Sequence, residues 1–219
     1  MSRRRCSELL LETPGGPARA YVHPAPARAT RATLVLGHGA GAGVQRSGDL
    51  LALAAALPAR GVSVVLVDQP WVVAGRRVAA APPRLDAAWC AVLPRLPVSG
   101  PLVVGGRSAG ARVACRTAGS VGASACVALA FPLHPPGRPE RSRVAELTAV
   151  DVPLLVVQGT RDSFGGPERF PPSLDVRTVP GDHGFAVPAR SGTTRADVHA
   201  AIVGLVADWV DGLTGRTGS

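Results

Sequence analysis

The chain has 219 residues, 46% of them hydrophobic, which suits one globular domain with a substantial buried core. No apolar run approaches the ~20 residues of a membrane helix, so a membrane-spanning protein is excluded as an expectation. The formal charge of +9 raises a nucleic-acid partner, but the 24 cations are all arginine and are scattered, and aromatic residues make up only 4%. Neither a basic stripe nor a stacking surface follows, so the charge reads as solvated surface with no nucleic-acid or membrane partner.

The N-terminal "MSRRRCSELLLETPGG" starts basic, yet its apolar stretch is only Leu9 to Leu11, between Glu8 and Glu12. A secretory or twin-arginine leader needs a longer apolar core, so a cytoplasmic location is expected, with residues 1–16 partly flexible. An antiparallel edge strand is expected around 19–22. A continuously apolar strand follows at 32–36, then a helix in "SGDLLALAAALPARG", with Ser47 or Asp49 as cap and Gly61 as stop. Further strands are expected at 62–67, 102–104, 125–130, 154–157 and 176–179. Helical patterns fall at 84–96, 109–118 and 194–211, the last with Val198, Ile202, Leu205, Val206 and Trp209 on one stripe. Apolar strands alternating with helices predict an α/β fold, a mostly parallel sheet covered on both faces. No repeat or long linker divides residues 1–219. The stretch between 130 and 153 is too short to hold a cap domain. Its "FPLHPPGRPERSR" reads as a rim loop beyond the carboxyl ends of the strands, where open α/β sheets bind ligands.

Cys6, Cys90, Cys115 and Cys126 lack metal-ligand spacing, and Cys115 and Cys126 read as small buried hydrophobes. Neither a metal site nor a disulfide framework is expected.

"LVLGHGAGAGVQ" admits two readings. Gly37, Gly39 and Ala42 match a variant dinucleotide fingerprint with Asp68 as ribose acceptor, although Asp68 comes late and the helix starts several residues after the glycines. Alternatively, His38-Gly39-Ala40-Gly41 is an oxyanion loop whose backbone N–H groups face a developing negative charge. A phosphate-binding P-loop lacks its lysine. The loop alone does not choose between the first two.

"LVVGGRSAGARVAC" places Gly106-Arg107-Ser108-Ala109-Gly110 between a strand and a helix. That is the context of a nucleophile elbow, with the Ala109 N–H at a helix N-terminus as a second oxyanion donor. In so glycine-rich a chain the motif also arises by chance, so partners decide. Asp162, in "PLLVVQGTRDSFG", and His183, in "LDVRTVPGDHGF", each follow a strand in the required order. His183 then serves as base for Ser108 and Asp162 orients the imidazole. Asp162 as a turn cap and Asp182 as a rival acid stay open as plainer readings. His38, Arg107, His134 and Phe164 are candidate substrate contacts, and Arg107 and Arg161 also suit plain surface roles.

Together, "GGRSAGAR", "FPLHPPGRPERSR", "LLVVQGTRDSFG" and "PGDHGF" resemble the α/β-hydrolase superfamily over nearly the whole chain. More narrowly they look like the small capless hydrolases related to testis-expressed protein 30 and NSL complex subunit 3, with a dienelactone hydrolase-like core. The resemblance implies Ser108 as nucleophile, Asp162 as acid, His183 as base, and Gly39, Ala40, Gly41 and Ala109 as oxyanion hole. It implies a serine hydrolase acting on a small acyl substrate without cofactor, and some members of that narrower family are complex subunits. Ala109 stands where many of these relatives carry a bulkier residue such as Met, which bears on pocket shape.

Overall fold

The computed structural model describes residues 6–41 and 43–215. Eight strands form one sheet: β1 (Ser7–Leu11), β2 (Ala18–His23), β3 (Ala32–Gly37), β4 (Val62–Asp68), β5 (Leu102–Arg107), β6 (Ala125–Leu129), β7 (Leu154–Gly159) and β8 (Asp175–Val179). Their order is β1-β2-β4-β3-β5-β6-β7-β8; β1, β2 and β4 pair antiparallel and every other pair is parallel. The helices are α1 (Gly48–Ala56), α2 (Pro70–Val73), α3 (Pro82–Val92), α4 (Ala109–Thr117), α5 (Val144–Thr148) and α6 (Arg195–Gly215).

Side chains alternate across each strand, so the apolar runs feed two cores. Val35, Val65, Val104 and Cys126 pack with Trp89 of α3 and Val113 and Ala114 of α4 on one face. Leu34, Leu36, Val64 and Leu66 pack with Leu50 and Leu53 of α1 and Ile202 and Val206 of α6 on the other. The free thiols of Cys115 and Cys126 lie buried in the first core, 3.9 Å apart.

The segment 1–16, expected to be partly flexible, supplies the outermost strand with Ser7–Leu11; residues 1–5 and Ala42 of the dinucleotide fingerprint lie outside the described residues. Ser47 precedes α1, but its hydroxyl makes no cap bond and contacts Gly43 O instead. Gly61 does end that helical stretch, in the left-handed region at φ 78°. The one-turn α2 and α5 were not expected from periodicity, since four and five residues are too short to show any. In the stretch between β6 and β7, α5 is the one α-helix, so no cap stands over the carboxyl edge of the sheet.

Parallel register aligns the strand ends that carry the motifs. Gly37 pairs with Gly106, Arg107 with Leu129, Leu129 with Val157, and Gly159 with Val179. The loops after β3, β5, β7 and β8 therefore leave one edge side by side. Tightest is the turn from β5 into α4. A Cβ on Gly106 would stand 2.6 Å from both Gly37 O and the Gly110 carbonyl carbon. One on Gly110 would strike Gly37 O and lie 2.8 Å from His38 O. Gly110→Ala is expected to lose about 1–3 kcal/mol of stability through this overpacking. The urea midpoint measures it, and an unchanged midpoint would refute the crowding.

Candidate active site

Ser108 stands at the turn between β5 and α4 with φ 53° and ψ −110°, a conformation costing a non-glycine residue about 1–3 kcal/mol. Bonds on either side hold it there: its N–H donates to Leu129 O at 2.9 Å, and its carbonyl accepts from Arg112 N–H at 3.1 Å. The hydroxyl is thereby lifted out of the strand, half-buried, at the N-terminus of α4.

Two loops reach it. Ser108 Oγ lies 2.9 Å from His183 Nε2, and His183 Nδ1 lies 2.8 Å from Asp162 Oδ2. A carboxylate accepts only, so the proton sits on Nδ1 and the bare Nε2 accepts from the serine hydroxyl. The Asp162 side chain is sealed from solvent while the imidazole is 19% exposed. Phe164 stacks on the His183 ring, with centroids 4.0 Å apart. Phe164 also donates its N–H to Asp162 Oδ1 at 2.8 Å, so it packs the His183 ring and orients the Asp162 carboxylate.

Asp162 has a further partner that sequence reading passed over. The Gln158 amide, fully buried at the end of β7, donates to Asp162 Oδ2 at 2.9 Å, to Gly165 O at 2.9 Å and to Phe131 O at 3.2 Å. A lone amide closing the apolar run "LLVVQG" was the available signal. The rival Asp182 is spent on its own loop, where Oδ1 accepts from Gly184 and Ala186 N–H at 2.8 and 2.9 Å.

The loop after β3 is set by His38. Backbone Gln69 N–H donates to His38 Nε2 at 3.1 Å, so the ring proton is on Nδ1, which donates to Gly39 O at 2.7 Å. Burial lowers the pKa of this imidazole and keeps it neutral. The planar trans peptide then turns the Ala40 N–H away from the ring. His38 is thus buried with both ring nitrogens bonded to backbone, and it lines the same small recess as Gly39, Ala40 and Ala109. Gly39 abuts the serine, since a Cβ on it would stand 3.5 Å from Ser108 Cβ. Gly39, Ala40 and Ala109 line one small recess of about 10 Å³. Gly41 does not join them; it is exposed and lines a separate cavity with Gly43, Arg46 and Arg76.

Asp68, the acid of the dinucleotide reading, accepts from Val44 N–H at 2.7 Å and is used to hold this loop. His134 is buried, with Nδ1 2.9 Å from Pro135 O and its N–H bonded to Phe164 O at 3.0 Å, so it supports the Phe164 loop. Arg161 donates to Ala186 O at 3.2 Å. Among the described residues, no three His, Cys, Asp or Glu gather as a metal site requires, and no helix is long and apolar enough to cross a membrane.

A fold with an elbow serine, a neighbouring imidazole and a buried carboxylate on one sheet edge defines the α/β-hydrolase class. The sequence profile described as an alpha/beta hydrolase domain matches residues 30–211, and the chain belongs to that family. Solved structures share the fold at low identity. A serine hydrolase without lid from Xanthomonas campestris superposes with a TM-score of 0.69 at 19% identity, covering 95% of this chain and 97% of its own. Dienelactone hydrolase from Anabaena variabilis gives 0.70 at 16% identity, with coverage of 95% and 97%. The thioesterase domain from the curacin biosynthetic pathway gives 0.68 at 16% identity, covering 93% and 99%. No curated protein matches the sequence.

Gln158→Leu orphans Gly165 O and one Asp162 lone pair. It is expected to lower stability by roughly 1–3 kcal/mol, the cost of one buried group left unpaired, since Asp162 keeps its bonds to His183 and Phe164. Urea unfolding measures this, and a loss below that of an exposed control substitution would contradict the anchoring role.

Proposed function

We propose that this chain is a serine hydrolase that cleaves an ester, thioester or related acyl bond through an acyl-enzyme. The observation that carries the reading is the unbroken hydrogen-bonded chain from Ser108 Oγ through both nitrogens of His183 to Asp162, with the serine in strained backbone geometry. Ser108 Oγ attacks the acyl carbon as His183 Nε2 takes its proton, forming the O–C bond and a tetrahedral oxyanion. The Ala109 N–H at the start of α4 and the Ala40 N–H donate to that oxygen. His183 then returns the proton to the leaving alcohol or thiol as its bond to carbon breaks. A water, deprotonated by the same imidazole, hydrolyses the acyl-serine. Asp162 holds the tautomer throughout and offsets the charge of the imidazolium.

The uncapped rim suits small or accessible acyl substrates. The esterase and thioesterase character of similarly folded proteins is consistent with that range, as is the motif resemblance to small capless hydrolases.

A fluorophosphonate probe is expected to label the wild type, and Ser108→Ala is expected to abolish labelling. Asp162→Asn and His183→Ala should each cut kcat on p-nitrophenyl acetate by about 10³–10⁴-fold. Asp182→Ala removes a carboxylate that bonds Gly184 and Ala186 N–H rather than the imidazole, so it should lower kcat far less than Asp162→Asn. A folded wild type that neither labels nor turns over short esters would overturn the reading. Stoichiometric co-purification with a partner would then favour a non-catalytic complex subunit.

A further inference from the structure

The residue before the serine is tied to three parts of the site at once. Arg107 Nη2 donates to His183 O at 2.9 Å. Among the described residues that is the one hydrogen bond the His183 main chain receives. The turn from Gly181 to Ala186 is closed by bonds of Gly181 O, the Asp182 and Phe185 backbone and Asp182 Oδ1, and none of these engages the His183 peptide itself. Arg107 Nη1 abuts the other loop, 3.5 Å from where a Gly39 Cβ would stand. The guanidinium thus lies against both the base loop and the oxyanion loop.

Its third arm is anchored. Arg107 Nε lies 3.3 Å from Asp49 Oδ2 in the first turn of α1, and the two side chains are 21% and 5% exposed. Both atoms are off the line of a hydrogen bond, so the attraction is that of opposite charges at close range. Burial pushes the Asp49 carboxyl above its usual range, opposed first by Arg107 and then by backbone N–H groups of the helix end. The pairing has a chemical use. A bare guanidinium beside His183 would disfavour the imidazolium that the proton transfer creates. With the Asp49 carboxylate 3.3 Å away, that positive charge is partly offset while Arg107 fastens the histidine loop.

We propose that Arg107, anchored by Asp49, is a positioning residue that holds the His183 backbone and the Gly39 loop in register with Ser108. This rests on the hydrolase reading for its kinetic consequence, though the positioning itself can be measured without turnover.

The first test is the downfield NMR signal of the His183 Nδ1 proton in the full chain. It is expected to be sharp in the wild type, exchange-broadened or lost in Arg107→Gln, and unchanged in Arg177→Gln, an exposed control. A sharp, unshifted signal in folded Arg107→Gln overturns the proposal whether or not the protein hydrolyses esters. The second test is kinetic. Arg107→Gln should lower kcat by about 10–100-fold with KM within twofold, as expected for misplacing a reacting group by an ångström or less. Arg107→Lys keeps the charge opposite Asp49 and should lie in between, which covers a glutamine variant too unstable to assay. Asp49→Asn should lower kcat less than Arg107→Gln, and the double variant should be no slower than Arg107→Gln alone. Multiplicative losses, or a lowered Tm with kcat intact, would reduce the pair to plain structural support and sink the idea. A silent wild type would bring down the hydrolase reading alone, leaving the NMR comparison to decide the positioning.

Discussion

The close approach of α4 to the end of β3 is the constraint on which the site depends. Gly106 and Gly110 let backbone meet backbone where any side chain would collide with Gly37 and His38. That proximity forces the chain to reverse within one residue, and Ser108 absorbs the reversal at φ 53°. The strain is held by the ladder bond to Leu129 on one side and the first turn of α4 on the other. Such strain persists only where surrounding structure over-determines it, and here it lifts a hydroxyl to a helix N-terminus at the sheet edge.

Everything else converges on that point through short, braced loops. Gln158 and Phe164 fix the Asp162 carboxylate, Phe164 covers the His183 ring, and Arg107 bonds the His183 carbonyl. His38 does for the loop after β3 what Asp162 does for His183: it settles an orientation by occupying one hydrogen-bonding partner. The elbow helix is itself secured from outside. Arg112 and Arg116 of α4 both reach Glu146 of α5, and Arg116 also makes a paired contact with Asp86 of α3. Several arginines that composition assigned to solvent thus carry structural bonds, because a guanidinium fork engages a carboxylate at two points.

The fold was legible because its signals are local and repeated. Continuous apolar runs such as "TLVLG" and "VSVVLVD" can only be strands covered on both faces, and both lie wholly buried in β3 and β4. The serine, the acid and the histidine were legible because each follows such a run, and parallel register carries loops that follow strands to one edge. Less visible were the supports. Asp49 lies 58 residues before Arg107, at the start of a helix, where an acid reads as a capping residue. Gln158 looks like the frayed end of a strand. Their roles come from which way a side chain points once the sheet has twisted and the loops have closed.

The sequence by itself determined the architecture, the order of the chemistry-bearing residues and the elbow, since these rest on apolar periodicity and on glycines at fixed offsets. The tertiary structure brought Asp162 rather than Asp182 to the His183 ring, and drew His38 inward as a brace. It also separated Gly41 from Gly39 and Ala40 and turned Arg107 from a surface cation into the link between two loops. Those outcomes depend on distances between segments far apart in the chain. Only packing sets such distances, because a hydrogen bond needs its partners within about 3 Å and correctly aimed.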